Sequence, residues 1–158
     1  MLRHPLCVSP VEELMSGSFH EILDDPRPPA KARRLVLCTG KVYYDLWEQR
    51  EADGGEDAAL VRIEQLYPLN GDSMDRIQSR YRDIEQVIWA QEEPQNRGAW
   101  TFMFPRLLDR FPNIPVRYVG REASASPATG SLRIHKEEQE GIVKHALQHG
   151  EGHVTVAK

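Results

Sequence analysis

The sequence predicts an α/β domain: a mostly parallel, twisted sheet covered by helices on both faces. Three observations carry this. Short apolar runs of strand length alternate with longer stretches of helical periodicity, the links between them are short, and the runs are flanked by Gly, Asp, Asn and Pro. The chain has 158 residues, 40% apolar and 28% charged, with a formal charge of -4. That is enough for one domain with a real core.

Residues 1–34 read as a lead-in whose charged, Pro-rich end "DDPRPPAKARR" is extended or loop with little core. The α/β domain follows over 35–149, and 150–158 is a tail. The first buried strand is "LVLC", closed by the turn "TGK". "KVYYDLWEQREADGG" sets Val42, Tyr43, Leu46 and Trp47 at helical spacing, with Gly54-Gly55 as the stop. "ALVRIEQL" is the second strand. The helix "DSMDRIQSRYRDI" follows, with Met74, Ile77, Tyr81 and Ile84 on one face behind an Asp72/Ser73 cap.

"QVIWA" is the third strand. In "GAWTFMFPRLLDRF" an apolar helical stripe is interrupted by Pro105, which removes one backbone hydrogen bond and predicts a kink. "VRYVG" is the fourth strand. "HKEEQEGIVKHALQH" is the last helix, acidic first and basic last as the helix dipole favours, with Gly150 ending it.

The composition excludes several classes of function. A mildly acidic balance predicts no nucleic-acid footprint. No apolar run reaches the roughly 18 residues of a membrane helix, and the start lacks the apolar core of a signal peptide. A cytoplasmic location is expected, or the mitochondrial matrix in a eukaryote. Cys7 and Cys38 form no CxxC pair, so neither a disulfide framework nor a zinc site is expected. His145 and His149 share a helix face near His153, but HExxH is absent and charge complementation at a helix end accounts for them. His4 and His20 have no metal-ligand spacing.

In a parallel sheet, ligands sit off the carboxyl ends of the strands, here "TGK", "QEEPQNRG" and "GREASASPATG". Glu92 and Glu93 are adjacent in a strand and point to opposite faces, so they do not form an acid/base pair on one bond. "CTGKV" resembles a phosphate loop only in part, since Val42 stands where Ser or Thr is needed; a capping turn and an anion site both remain open. "GREASASPATG" lacks a GxSxG elbow. Its hydroxyls either satisfy the backbone or form an oxyanion or nucleotide subsite. The anion site to be tested comprises Lys41 and Arg121, assisted by Ser124 or Ser126. Catalytic and metal-binding residues are not expected.

Taken together, "RHPLCVSPVEEL", "LCTGKVYYDL", "VRIEQLYPL", "WAQEEPQNRGAW", "YVGREASASPATGSLRIH" and the closing helix resemble the C-terminal domain of the thiamine-dependent first component of 2-oxoglutarate dehydrogenase, over about residues 2–148. A 2-oxoadipate-type paralogue is the nearest alternative, and "GEGHVTVAK" has no counterpart. The resemblance implies a transketolase-like third domain, three layers α/β/α, with one edge strand reversed. It implies a parent that decarboxylates 2-oxoglutarate oxidatively, using thiamine diphosphate and Mg, and transfers succinyl to a lipoyl arm.

The GDG motif that holds this cofactor is missing, and "GGED" and "NGDS" do not replace it, so no cofactor is expected in this chain and the 158 residues are expected to be inactive alone. Implied partners are a second copy in a homodimer, the remaining domains of the parent, the lipoyl succinyltransferase component, and AMP or acetyl-CoA. Met1 directly precedes a string that lies well inside the parent chain in this family, as in a severed piece or a separate reading frame. A free-standing nucleotide or anion module is the other reading. Trp47, Trp89, Trp100 and the aromatic helix after Gly98 exceed what one sheet face needs, which predicts an exposed apolar patch.

Overall fold

The computed structural model describes residues 4–53 and 57–148. A short helix α1 (Val11–Met15) precedes five strands: β1 (Ile22–Leu23), β2 (Arg34–Cys38), β3 (Ala58–Ile63), β4 (Gln86–Pro94) and β5 (Val116–Arg121). Four longer helices, α2 (Val42–Asp53), α3 (Gly71–Arg80), α4 (Trp100–Arg110) and α5 (Leu132–Leu147), alternate with the strands. The strand order is β1-β3-β2-β4-β5. β3, β2, β4 and β5 run parallel, and only β1 is antiparallel, pairing Ile22 with Ile63 and Leu23 with Arg62.

The strands bury both faces, so alternate residues feed two cores. Leu35, Leu37, Val87, Trp89, Val116 and Tyr118 pack with Met74 and Ile77 of α3 and Trp100, Met103 and Leu107 of α4. Val36, Cys38, Leu60, Ile88, Ala90 and Val119 pack with Leu46 and Trp47 of α2 and Ile142, Val143 and Ala146 of α5. The result is the expected three layers with the expected reversed edge strand.

Several details differ from the sequence reading. The reversed strand comes from residues 22–23, inside the stretch read as lead-in, and Asp25 just beyond is almost fully buried. Asn70, not Asp72 or Ser73, caps α3: its Oδ1 accepts the Ser73 N–H at 2.9 Å. α3 stops at Arg80, so Ile84 reaches the core from the following loop. α4 runs through Pro105 as one helix, with that residue on the exposed face. α5 begins at Leu132, earlier than expected, because its first turn is exposed and carries no apolar stripe. Gly54, Gly55, His149, Gly150 and His153 lie outside the described residues.

All three tryptophans are buried, so the expected patch does not come from them. It lies upstream instead. Leu6, Val8, Val11, Leu14, Met15 and Phe19 are 44%, 77%, 62%, 81%, 80% and 66% exposed, and α1 buries no residue. The start of this segment is fastened to α2, where the His4 ring stacks on Tyr44 at 4.9 Å and its Nε2 lies 3.5 Å from Glu48 Oε1. Cys38 is a buried free thiol pushed up to about 12 by desolvation. Among the described residues, no helix is long and apolar enough to cross a membrane.

Candidate functional site

From β2 the chain turns towards β3 on one side, and from β4 towards β5 on the other. The topological switch point therefore lies between β2 and β4, whose carboxyl ends carry Thr39–Lys41 and Gln91–Gly98. Gly40, at φ 74°, makes the turn after β2.

The stretch "QEEPQNRGAW" is organised by one residue, Gln91. It is 1% exposed and stands two positions after Trp89 on the same face of β4. Its Oε1 accepts the Trp89 Nε1–H at 2.8 Å and the Trp100 backbone N–H at 3.0 Å. Its Nε2 donates towards the carbonyls of Arg97 at 2.9 Å and of Glu93 and Pro94, both at 3.2 Å. A single amide thus ties the strand, the turn and the first turn of α4 together. Sequence reasoning missed it by attending to the carboxylates. The available signal was a polar residue at an inward-facing position of an apolar strand.

Gly98 is required here. Its φ is 63°, and a Cβ would meet Gln91 Nε2 at 3.0 Å and Glu93 Cβ at 3.1 Å. Gly98→Ala is expected to cost about 1–2 kcal/mol from the backbone alone, with more from the displaced amide. Gly141→Ala, in α5 with nothing within 4 Å of the new Cβ, should stabilise by about 0.5–1 kcal/mol. Urea denaturation of the two variants checks the opposite signs.

The two chemistry-rich segments are bonded to each other. Asn96 reads the backbone of Ser124 with both amide atoms, Nδ2 to O at 3.1 Å and Oδ1 from N at 3.0 Å. Arg97 Nη2 donates to Ala125 O at 2.7 Å, and Gln95 N donates to Arg121 O at 3.0 Å. The Tyr118 hydroxyl, pushed up to about 12 by burial, lies 2.8 Å from Arg121 O and 3.0 Å from Glu93 O. Gly120 is needed for this approach, since a Cβ there would stand 2.3 Å from that hydroxyl.

Arg121, Ser124 and Ser126 line one cavity of about 720 Å³, between β5, α5 and the 121–130 loop. Their polar atoms are engaged by the protein. Arg121 Nε donates to Glu92 O at 2.8 Å, Nη2 to Pro127 O at 2.6 Å and Nη1 to Thr129 Oγ1 at 3.3 Å. Ser124 Oγ accepts the Ser126 N–H at 3.2 Å, and Ser126 Oγ donates to Ala128 O at 2.7 Å. Of the two readings of these hydroxyls, the observed contacts are those of a loop satisfying its own backbone. Lys41 does not line this cavity; its Nζ pairs with Asp45 Oδ2 at 2.5 Å.

Glu92 is partly buried and Glu93 exposed. Glu92 faces Lys41, Asp45 and Gln139, and Gln139 also donates to Asp45 Oδ2 at 2.6 Å. Burial holds the Glu92 carboxyl above its ordinary range, against the opposing pull of Lys41 and the Gln139 hydrogen bond. The stabilisation linked to its protonated form is complete at acid pH and fades as pH rises through the raised value. Glu92→Gln is therefore expected to raise the thermal midpoint at neutral pH and to lose that advantage near about pH 4. A series of melts over this window tests it.

A cofactor site for thiamine diphosphate does not fit these residues. "NGDS" is the cap of α3, where the Asn70 side chain is occupied by Ser73 N–H and by Glu21. Among the described residues no group of three or more His, Cys, Asp or Glu could hold a metal ion.

A family model described as 2-oxoglutarate dehydrogenase C-terminal matches residues 8–147. The 2-oxoglutarate dehydrogenase E1 component of Azotobacter vinelandii is 44% identical over 154 residues, covering 93% of this chain and 16% of that protein. That of Haemophilus influenzae is 41% identical over 150 residues with the same coverage. The chain thus spans about 16% of the length of these curated relatives. A solved chain described as a split gene transketolase, inactive beta4 tetramer, is similar with a TM-score of 0.52 and 18% identity, over 75% of this chain and 39% of that one. That likeness shows a shared transketolase-type fold. With the family model covering nearly the whole domain and the motif segments bonded into its switch-point turn, the chain belongs to the 2-oxoglutarate dehydrogenase C-terminal family.

Proposed function

We propose that this chain serves as the assembly domain of a 2-oxoglutarate dehydrogenase E1 component and carries no reaction centre of its own. The observation that carries the reading is the apolar stretch of residues 6–19, solvent-exposed in the chain alone, in a family whose relatives are several times longer. A surface of this kind is covered in an assembly. Its partners in this reading are the remaining domains of the component and a second copy in a homodimer. The lipoyl succinyltransferase is engaged by the component as a whole, in the cytoplasm or mitochondrial matrix.

Thiamine diphosphate and Mg, held by the other domains, supply the electron sink for decarboxylation of 2-oxoglutarate. This chain's residues shape and fasten the contact surface. Names of the relatives favour 2-oxoglutarate over 2-oxoadipate as the parent substrate. The free-standing anion module has less support, because Arg121 would have to release Pro127 O and Thr129 Oγ1 and Lys41 would have to leave Asp45. On the same ground, AMP and acetyl-CoA are expected to bind the isolated chain weakly through Lys41, Arg121, Ser124 and Ser126.

The test is a domain exchange. The C-terminal domain of the Azotobacter vinelandii E1 component is replaced by this chain, and 2-oxoglutarate-dependent turnover is compared with that of the 158 residues alone. Turnover by the chimaera only is expected. Turnover by the isolated chain, or a folded chimaera that is inactive, overturns the proposal.

A further inference from the structure

On the α4 side of the switch point lies a cleft of about 320 Å³, lined by Thr39, Leu66, Tyr67, Glu93, Ala99 and Phe102. Glu93, Gly98 and Ala99 of the turn described above form part of its wall. Tyr67 is 81% exposed, and its ring meets Phe102 edge to face, with centroids 6.4 Å apart and planes at 75°. Glu93 is exposed at the rim, and no basic side chain among the described residues forms an ion pair with it. Several other rings carry cations. Trp47 carries the guanidiniums of Arg27 and Arg50, Tyr43 and Tyr44 share Arg62, and Phe102 carries Arg106 at 3.6 Å. Tyr67 carries none of these.

An exposed ring beside an uncompensated carboxylate selects a cation, since the ring face is negative and the rim repels anions. A planar guanidinium suits this cleft better than an ammonium. It can give a carboxylate two parallel N–H donors while its faces lie against rings. We propose that this cleft receives an arginine side chain of a partner polypeptide, with Glu93 taking its N–H donors and the exposed Tyr67 ring lying against one face of its plane. Arg106, held by the Phe102 carbonyl, is the opposing charge, so a single side chain binds at about millimolar strength. The inference rests on the cleft's own residues, and its failure would leave the family reading untouched.

The experiment titrates N-acetyl-arginine amide into the isotopically labelled full chain and follows backbone amide signals. N-acetyl-citrulline amide, of the same shape without the charge, is the control. Saturable shifts confined to Thr39, Tyr67, Gly98, Ala99 and Phe102 are expected with arginine and not with citrulline. Glu93→Gln and Tyr67→Ala, both at exposed positions and expected to fold, should each weaken binding about fivefold. Equal shifts with citrulline, saturation elsewhere on the surface, no saturation, or unchanged affinity in Glu93→Gln would each overturn the proposal.

Discussion

Replacing Asp25 with alanine is expected to destabilise the fold by about 3–5 kcal/mol, the largest effect of any single change in the segment before β2. The carboxylate is fully buried and faces the nearly buried guanidinium of Arg50 on α2. It accepts from Arg50 Nη1 and, at 3.2 Å, Nη2, and also from the Leu60 backbone N–H at 2.9 Å. That last bond sits beyond the two-residue β1, where β3 has run out of strand to pair with. Alanine would leave the buried Leu60 N–H without its acceptor and the Arg50 guanidinium with only the Ala58 carbonyl and, at 4.0 Å, Glu51. Asparagine keeps an acceptor for Leu60 and should lose less. Combining it with Arg50→Met should recover much of the loss, because removing both charges removes the desolvation problem. Urea denaturation of the wild type, Asp25→Asn, Arg50→Met and the double variant gives the coupling, and a thermal shift of about 2–4 °C per kcal/mol is expected for a chain of this size. A loss under about 0.5 kcal/mol for Asp25→Ala would show that the lead-in is not part of the cooperative domain.

Gln91→Ala is expected to cost a similar amount, about 3–5 kcal/mol, through a different mechanism. Two buried donors, Trp89 Nε1–H and Trp100 N–H, lose their shared acceptor, at about 1–3 kcal/mol each. A cavity opens beneath the turn as well. Gln91→Glu is the sharper variant. It preserves the acceptor and the volume but turns a carboxylate towards the Glu93, Pro94 and Arg97 carbonyls that the amide hydrogens now satisfy. Its stability should fall at neutral pH and partly return in acid, when one oxygen can donate again. Flat pH dependence would mean that the Nε2 bonds contribute nothing.

The layers of this fold were legible because burial on both faces leaves continuous apolar runs such as "LVLC" and "QVIWA", while the helices keep a 3.6-residue stripe. What escaped was what depends on contacts between distant segments. Ile22–Leu23 is too short to show a strand period, and it is a strand only because β3 offers it an edge. Asp25 in "DDPRPP" looks like any solvated charge until Arg50 comes to meet it. The α3 cap lies on Asn70, two positions before Asp72, because Asn, Asp and Ser stand close together there and all serve as caps.

At the candidate site, the sequence placed "QEEPQNRG" and "GREASASPATG" at one edge but gave no means of seeing that they bond to each other. Arg121 reads as a free fork for an anion, yet its donors close on the carbonyls of Glu92 and Pro127 and on the Thr129 hydroxyl, from two segments. Residue type indicates what a side chain can bind. Only the register of β4 against β5 indicates that neighbouring backbone reaches it first.

In the proposed assembly the exposed segment before β1 is a docking surface for the rest of a larger enzyme. Hydrogen exchange over residues 6–19 tests it most directly, measured in the isolated chain and in the chimaera that joins it to the Azotobacter vinelandii catalytic domains. In the isolated chain these amides, with few buried contacts, should exchange near the rate of unprotected peptide. In the chimaera they should slow by about tenfold or more, with β2 and β4 strongly protected in both. Equal, fast exchange in both proteins would contradict the account and leave the apolar stretch without a partner in the assembly.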